Sequence, residues 1–168
     1  MGGIACGVIL CIASNLQQFG IMEASVGKSG FFTALYIVMI PVIGIFIGKR
    51  PGIKLWFCVA LAVVGMYLLC MKDGSFTIER ADIMLLLCAL AFSFHILVVD
   101  YFSPKVDGVK MSCIQFIVIA IISAFVMMFT ENVTFAGIKA ALVPILYAGV
   151  LSSGIAYTLQ MVGQKYAQ

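Results

Sequence analysis

Charged side chains punctuate this chain at intervals and leave six uncharged, strongly apolar runs between them, at 1–22, 29–48, 55–71, 83–99, 111–130 and 140–164. A helix needs roughly 17–25 apolar residues to cross a hydrocarbon core about 30 Å thick, and each run approaches that length. Within the runs apolar residues cover every helical face, whereas barrel strands alternate apolar and polar positions over about 10 residues. The pattern predicts an all-α polytopic membrane protein with six transmembrane helices. Pro51 before the third run and Pro104 after the fourth mark ends, since proline cannot continue a preceding helix.

Polar residues inside the runs carry the next layer of information. Leu16-Gln17 and Gly20 in the first run recur as Leu159-Gln160 and Gly163 in the sixth, and Ile12-Ala13 recurs as Ile155-Ala156 at the same offset. Residues 12–25 therefore lie over 155–168 without a gap, which points to a duplicated unit. The copies sit five spans apart, so they cross the membrane in opposite directions and the repeat is inverted. Ser14, Gln17 and Gln18 share a face at i, i+3 and i+4, and Tyr157 with Gln160 repeats the pattern with Ser153 a turn earlier. Such a stripe either hydrogen-bonds a neighbouring helix or lines a wet cavity.

The second run holds Thr33, Tyr36 and then Pro41 near its middle. Proline lacks an N–H and collides with the preceding turn, so a kink is expected there, with the Ile37 carbonyl losing its partner. Kinked helices build midplane sites in transporters, and they also serve packing alone. Gly3-x-x-x-Gly7, Gly44-x-x-x-Gly48 and the Ala148, Ser152, Ala156 ladder read as places where backbones approach closely. His95 is the only histidine and lies well inside the fourth run. An ionisable group at that depth is a candidate for solute binding or proton transfer, its reference pKa of about 6.5 allowing either charge state. The alternative is a neutral imidazole bonded to a neighbouring helix. Asp100, close to Pro104, reads as interfacial.

Composition sharpens this picture. Hydrophobic residues make up 64% of the 168 and charged residues 10%, with a mean hydropathy of +1.18, too little polar surface for a water-soluble globule. Cys6, Cys11, Cys58, Cys70, Cys88 and Cys113 have no Cys-x-x-Cys spacing and read as packing residues rather than disulfides or metal ligands. The net charge of +3 is spread over the connections, which gives no case for nucleic acid. No basic leader or myristoylation signal opens the chain, Cys6 standing where Ser or Thr is expected. Positive residues are retained on the cytoplasmic side. Lys49, Arg50, Lys54, Lys105, Lys110 and Lys165 fall on one side, and Lys28, Lys72, Arg80 and Lys139 on the other, which favours a cytoplasmic start. No paired deep carboxylates, second histidine or phosphate loop accompanies His95, so movement or binding is expected rather than enzymatic chemistry, with no cofactor and no metal.

Leu16-Gln17-Gln18-Phe19-Gly20, then Gly27-Lys28-Ser29-Gly30-Phe31, the Pro41 helix, Gly65-Met66-Tyr67-Leu68-Leu69, and Ala81-Asp82 opening the helix of His95 occur in an order that resembles the EamA-like branch of the drug/metabolite transporter superfamily. The resemblance implies ten helices from two inverted five-helix units with cytoplasmic ends. This chain would supply the third to eighth: 1–71 as the last three helices of the first repeat, 72–82 as a connecting loop, and 83–168 as the first three of the second. Gly48-Lys49-Arg50 stands where the family often has Gly-Glu-Arg, which removes a carboxylate. By the resemblance Ser14, Gln17, Gln18, Thr33, Tyr36, His95, Tyr157 and Gln160 are the candidate substrate-binding residues of a central cavity. The expected function is part of a multi-pass secondary transporter of the cytoplasmic membrane, moving a small polar metabolite by alternating access. Its partners would be the solute and the lipid bilayer, with proton coupling and a homodimer as candidates. A non-transporting membrane scaffold or an inactive truncated product is the alternative.

Overall fold

A computed structural model describes residues 1–70, 79–130 and 134–166. Among them the regular structure is helical: α1 (Gly2–Glu23), α2 (Val26–Ala34), α3 (Tyr36–Phe46), α4 (Ile53–Cys70), α5 (Arg80–Phe102), α6 (Gly108–Thr130), α7 (Phe135–Ala140), α8 (Leu142–Leu146), a π-helical segment Tyr147–Tyr157, and α9 (Thr158–Tyr166). Among the described residues five stretches are long and apolar enough to cross a membrane: Gly2–Glu23, Val26–Phe46, Arg80–Phe102, Gly108–Phe129 and Leu142–Gln164. The expected third span is the shorter apolar helix Ile53–Leu68, about 24 Å long at 1.5 Å per residue. Most of the expected 72–82 connection lies outside the described residues, and Arg80–Asp82 already belong to the first turn of α5.

Polar side chains set the helix ends. Ser25 caps α2, its Oγ accepting from the Lys28 N–H at 3.3 Å. Asp107 Oδ1 accepts from the Val109 and Lys110 N–H groups and starts α6, and Thr134 Oγ1 accepts from Gly137 N–H at α7. The end of α3 closes on a left-handed residue, Gly48 at φ +86°. There Lys49 N–H donates to Gly44 O at 2.8 Å and Gly48 N–H to Ile45 O at 3.0 Å, the paired bonds of a Schellman turn. Gly44-x-x-x-Gly48 therefore ends a helix rather than joining two, since a Cβ at Gly48 would meet nothing within 4 Å.

The second span is interrupted at Leu35, where the N–H turns back to Phe32 O at 3.3 Å. Pro41 lies a turn and a half later, inside α3. The sixth span departs further from a regular α-helix. Pro144 lies in α8, and the eleven residues after that helix, Tyr147–Tyr157, form a π-helix, whose i→i+5 bonds widen each turn. Ala148, Ser152 and Ala156, spaced for one α-helical face, are all exposed along it.

The chain forms two compact units: residues 12–97, and residues 1–11 with 98–168. In the latter, glycines of α1 bring helices together. A Cβ at Gly3 would lie 2.8 Å from the Ile114 side chain, and one at Gly7 2.8 Å from Val118 Cβ and 2.9 Å from Gln115 O. No larger residue fits without separating the backbones, as the Gly3-x-x-x-Gly7 spacing implied. Cys6, Val99, Met111 and Met161 form the core beside them. In the 12–97 unit, α2 pairs with α4 through an edge-to-face contact of Phe31 and Tyr67, and Gly20 of α1 lies against Leu85 of α5. The buried face of α5 carries Ala81, Leu85, Cys88, Ala89 and Phe92. Among the described residues Cys6, Cys58, Cys88 and Cys113 are free thiols.

Candidate functional site

Two residues of the second span, Lys28 and Tyr36, reach α5. Lys28 Nζ lies 3.1 Å from Asp82 Oδ2. The same oxygen accepts the Glu79 N–H at 2.9 Å, the bond that an acidic third residue makes to a helix N-cap. Asp82 is 2% exposed, and its Oδ1 is buried with no hydrogen-bond partner. Eight residues beyond Lys28, the Tyr36 ring lies 6.4 Å from that of Phe92, ten residues beyond Asp82. The two contacts fix the second span and α5 as parallel neighbours over roughly 12–15 Å of helix.

Between these contacts the interior is polar but unsatisfied. Ser29 Oγ and Thr33 Oγ1 are buried and have no hydrogen-bond partner. Each such hydroxyl costs about 1–3 kcal/mol of uncompensated desolvation. Ser93 on α5 differs, because its hydroxyl donates to Ala89 O at 2.8 Å and is satisfied within its own helix. His95 lies about one turn beyond Phe92 and is 1% exposed. Of the expected residues, Thr33 and Tyr36 on the second span are half-buried and His95 on α5 is buried, and the Lys28–Asp82 ion pair ties the starts of the same two helices together.

The first-span candidates are less uniform. Gln17 is half-buried, while Ser14 and Gln18 are exposed, so the three do not form one buried stripe. Tyr157 and Gln160 belong to the other compact unit and are both half-buried. The Tyr157 ring meets Phe116 edge-on at 6.0 Å, and Ser112 Oγ lies 3.0 Å from Met161 Sδ. Gln115, one turn after Ser112, is fully buried.

The arrangement offers hydroxyls, an imidazole and a carboxylate oxygen inside an apolar protein, groups that bind polar solutes or water. Among the described residues no three His, Cys, Asp or Glu side chains are grouped to hold a metal ion. Sequence reasoning missed the Lys28–Asp82 pair, Ser29, Ser112 and Gln115. Lys28 and Asp82 stand at the starts of spans two apart, so opposite charges at one membrane end were a readable signal. Ser112 and Gln115, at i and i+3 in an otherwise apolar run, were another.

Residues 79–168, more than half of the chain, match the EamA-like transporter family. A protein of Archaeoglobus fulgidus named an uncharacterized transporter is 28% identical over 131 residues, which cover 77% of this chain and 42% of that protein. The chain thus spans well under two thirds of that relative's length. No solved structure matches the chain. The chain belongs to the EamA-like transporter family, as a multi-pass membrane protein.

Proposed function

We propose that the chain is part of a longer secondary transporter of the cytoplasmic membrane, which moves small polar metabolites by alternating access between two inverted units. The observation that carries this reading is the pair of buried hydroxyls, Ser29 and Thr33, left without protein partners on a span that faces α5. Water or the polar groups of a solute would supply the missing bonds during transport. The family match and the transporter name of the Archaeoglobus fulgidus relative support it, and its greater length supports the reading of this chain as a portion. The role is one of movement rather than covalent chemistry. His95 would couple a proton to the solute, and Gln17, Gln18, Ser14, Tyr157 and Gln160 would contribute amides and hydroxyls as the units rock.

Reconstitution of the full reading frame in proteoliposomes tests this. Protein-dependent flux of a polar metabolite is expected, with a pH dependence that His95→Ala removes. A pH dependence unchanged by that substitution overturns the coupling role and leaves flux to decide the rest.

A non-transporting scaffold has its own supporting observations. The Ser112–Met161 and Ser93–Ala89 bonds show polar side chains satisfied within or between helices. On that reading Gln17→Leu and Gln160→Leu alter assembly and leave solute movement untouched.

A further inference from the structure

The second span is built as two pieces, and its first piece is tied down at one point. α2 is nine residues long and is separated from α3 by the interruption at Leu35. At its start Lys28 reaches across 54 positions of sequence to Asp82 on α5. Ser29, next to the tie, is 6% exposed and its hydroxyl has no partner. Thr33 Oγ1, one turn on, is likewise buried and unpaired. Beside the interruption lies an apolar cleft bounded by Phe31, Leu35 and Ile37 and, on α4, by Ala62 and Met66.

We infer that α2 is a hinged gate, pivoting at Leu35 and latched by the Lys28–Asp82 ion pair, which closes the helix-start end of the Ser29–Thr33 stripe. The inference rests on the transporter reading, because a latch matters only where the stripe beneath it must open. Energetics favour a device that switches. Asp82 Oδ2 is held twice, while Oδ1 is desolvated without compensation. The closed state therefore keeps three unsatisfied polar atoms that water would pair on opening. The ion pair opposes that gain, and a few kcal/mol between two arrangements is the condition for a two-state gate.

The test needs no known solute. The full-length protein, in a cysteine-free background, is placed in nanodiscs with a single introduced thiol, Ser29→Cys, and its rate of modification by a charged methanethiosulfonate is measured. A second preparation carries the thiol at Val59→Cys, buried on α4 away from the latch. With the pair intact, slow modification at position 29 is expected. Asp82→Asn, and independently Lys28→Gln, are expected to speed it at least about tenfold, while position 59 stays slow. The exchange Lys28→Asp with Asp82→Lys is expected to return the rate to within about threefold of the starting value, as restored complementarity requires. Unchanged rates at position 29, equal acceleration at position 59, or failure of the exchange to restore protection each overturn the latch. Flux measured on the same preparations separates the two readings: a working latch without flux removes the transporter, and flux with unchanged labelling removes the latch.

Discussion

Gly20 and Gly163 occupy the same place in the two copies of the echoed sequence, yet they live in different surroundings. A Cβ at Gly20 would sit 2.5 Å from Leu85 Cγ, whereas one at Gly163 would meet nothing within 4 Å. The contrast extends along both spans. α1 is buried at Gly3, Cys6, Gly7, Leu10 and Cys11 and again at Ala13 and Gly20, while in Leu142–Gln164 only Met161 is buried. The paired amides behave otherwise, since Gln17 and Gln160 are both half-buried. A repeated sequence thus reproduces which positions are polar, because that follows from the residues themselves. It does not reproduce which positions are packed, because that depends on what each span meets. In α1 the glycines admit α6 and α5; in the last span a π-helical stretch turns apolar side chains outward.

Substitutions at the matched glycines break or sharpen this contrast. The largest effect is expected at Gly7→Leu, which drives a side chain into Val118 and the Gln115 carbonyl and costs about 3 kcal/mol, at the upper end of overpacking penalties. Thermal unfolding in detergent reads it, and an unaltered transition refutes the close approach of α1 and α6. Gly20→Ala comes next, with a loss of about 1–2 kcal/mol, because its Cβ would press on the branch point of the fully buried Leu85. Its counterpart Gly163→Ala should instead be neutral or stabilising by up to about 1 kcal/mol, from reduced backbone freedom in an open helix position. Equal effects at the two glycines erase the asymmetry. The smallest change in stability belongs to Gln17→Leu and Gln160→Leu, at about 0.6 kcal/mol each, the mean worth of an interhelical polar contact in a membrane. Flux in proteoliposomes separates their roles, because a lining amide loses transport out of proportion to that figure.

The spans were legible because lipid leaves the backbone one economical choice, and charged residues then had to fall between helices. Gly3 and Gly7 were legible for a similar reason, their spacing placing two missing side chains on one face. The same spacing at Gly44 and Gly48 meant something else: Lys49 and Arg50 follow at once, and the chain needed a left-handed residue to leave the helix. Pro41 marked one missing backbone bond in the second span, whereas the turn at Leu35, where the N–H reaches back to Phe32 O, carries no local signal. The π-helical segment is likewise silent in sequence, and it changes which of Ser153, Tyr157 and Gln160 share a face. The buried polar positions of the second span and α5 were half visible. Thr33, Tyr36 and His95 stood out as polar residues at depth, whereas the Lys28–Asp82 pair exists only because two spans lie parallel, a tertiary fact that a count of loop charges passes over.

Thr33 offers the most direct test of the central claim, that the Ser29–Thr33 stripe of the second span is a solute path. Proteoliposomes containing the full-length protein are loaded with an isotopically labelled extract of polar metabolites, and efflux is followed by mass spectrometry with the native residue and with Thr33→Val, which keeps the shape and removes the hydroxyl. The expected result is protein-dependent efflux of one solute or a small related set, slowed at least about tenfold by the substitution, as loss of a buried polar contact of about 1.4 kcal/mol or more requires. Efflux no faster than from empty liposomes, or efflux untouched by Thr33→Val, would contradict it.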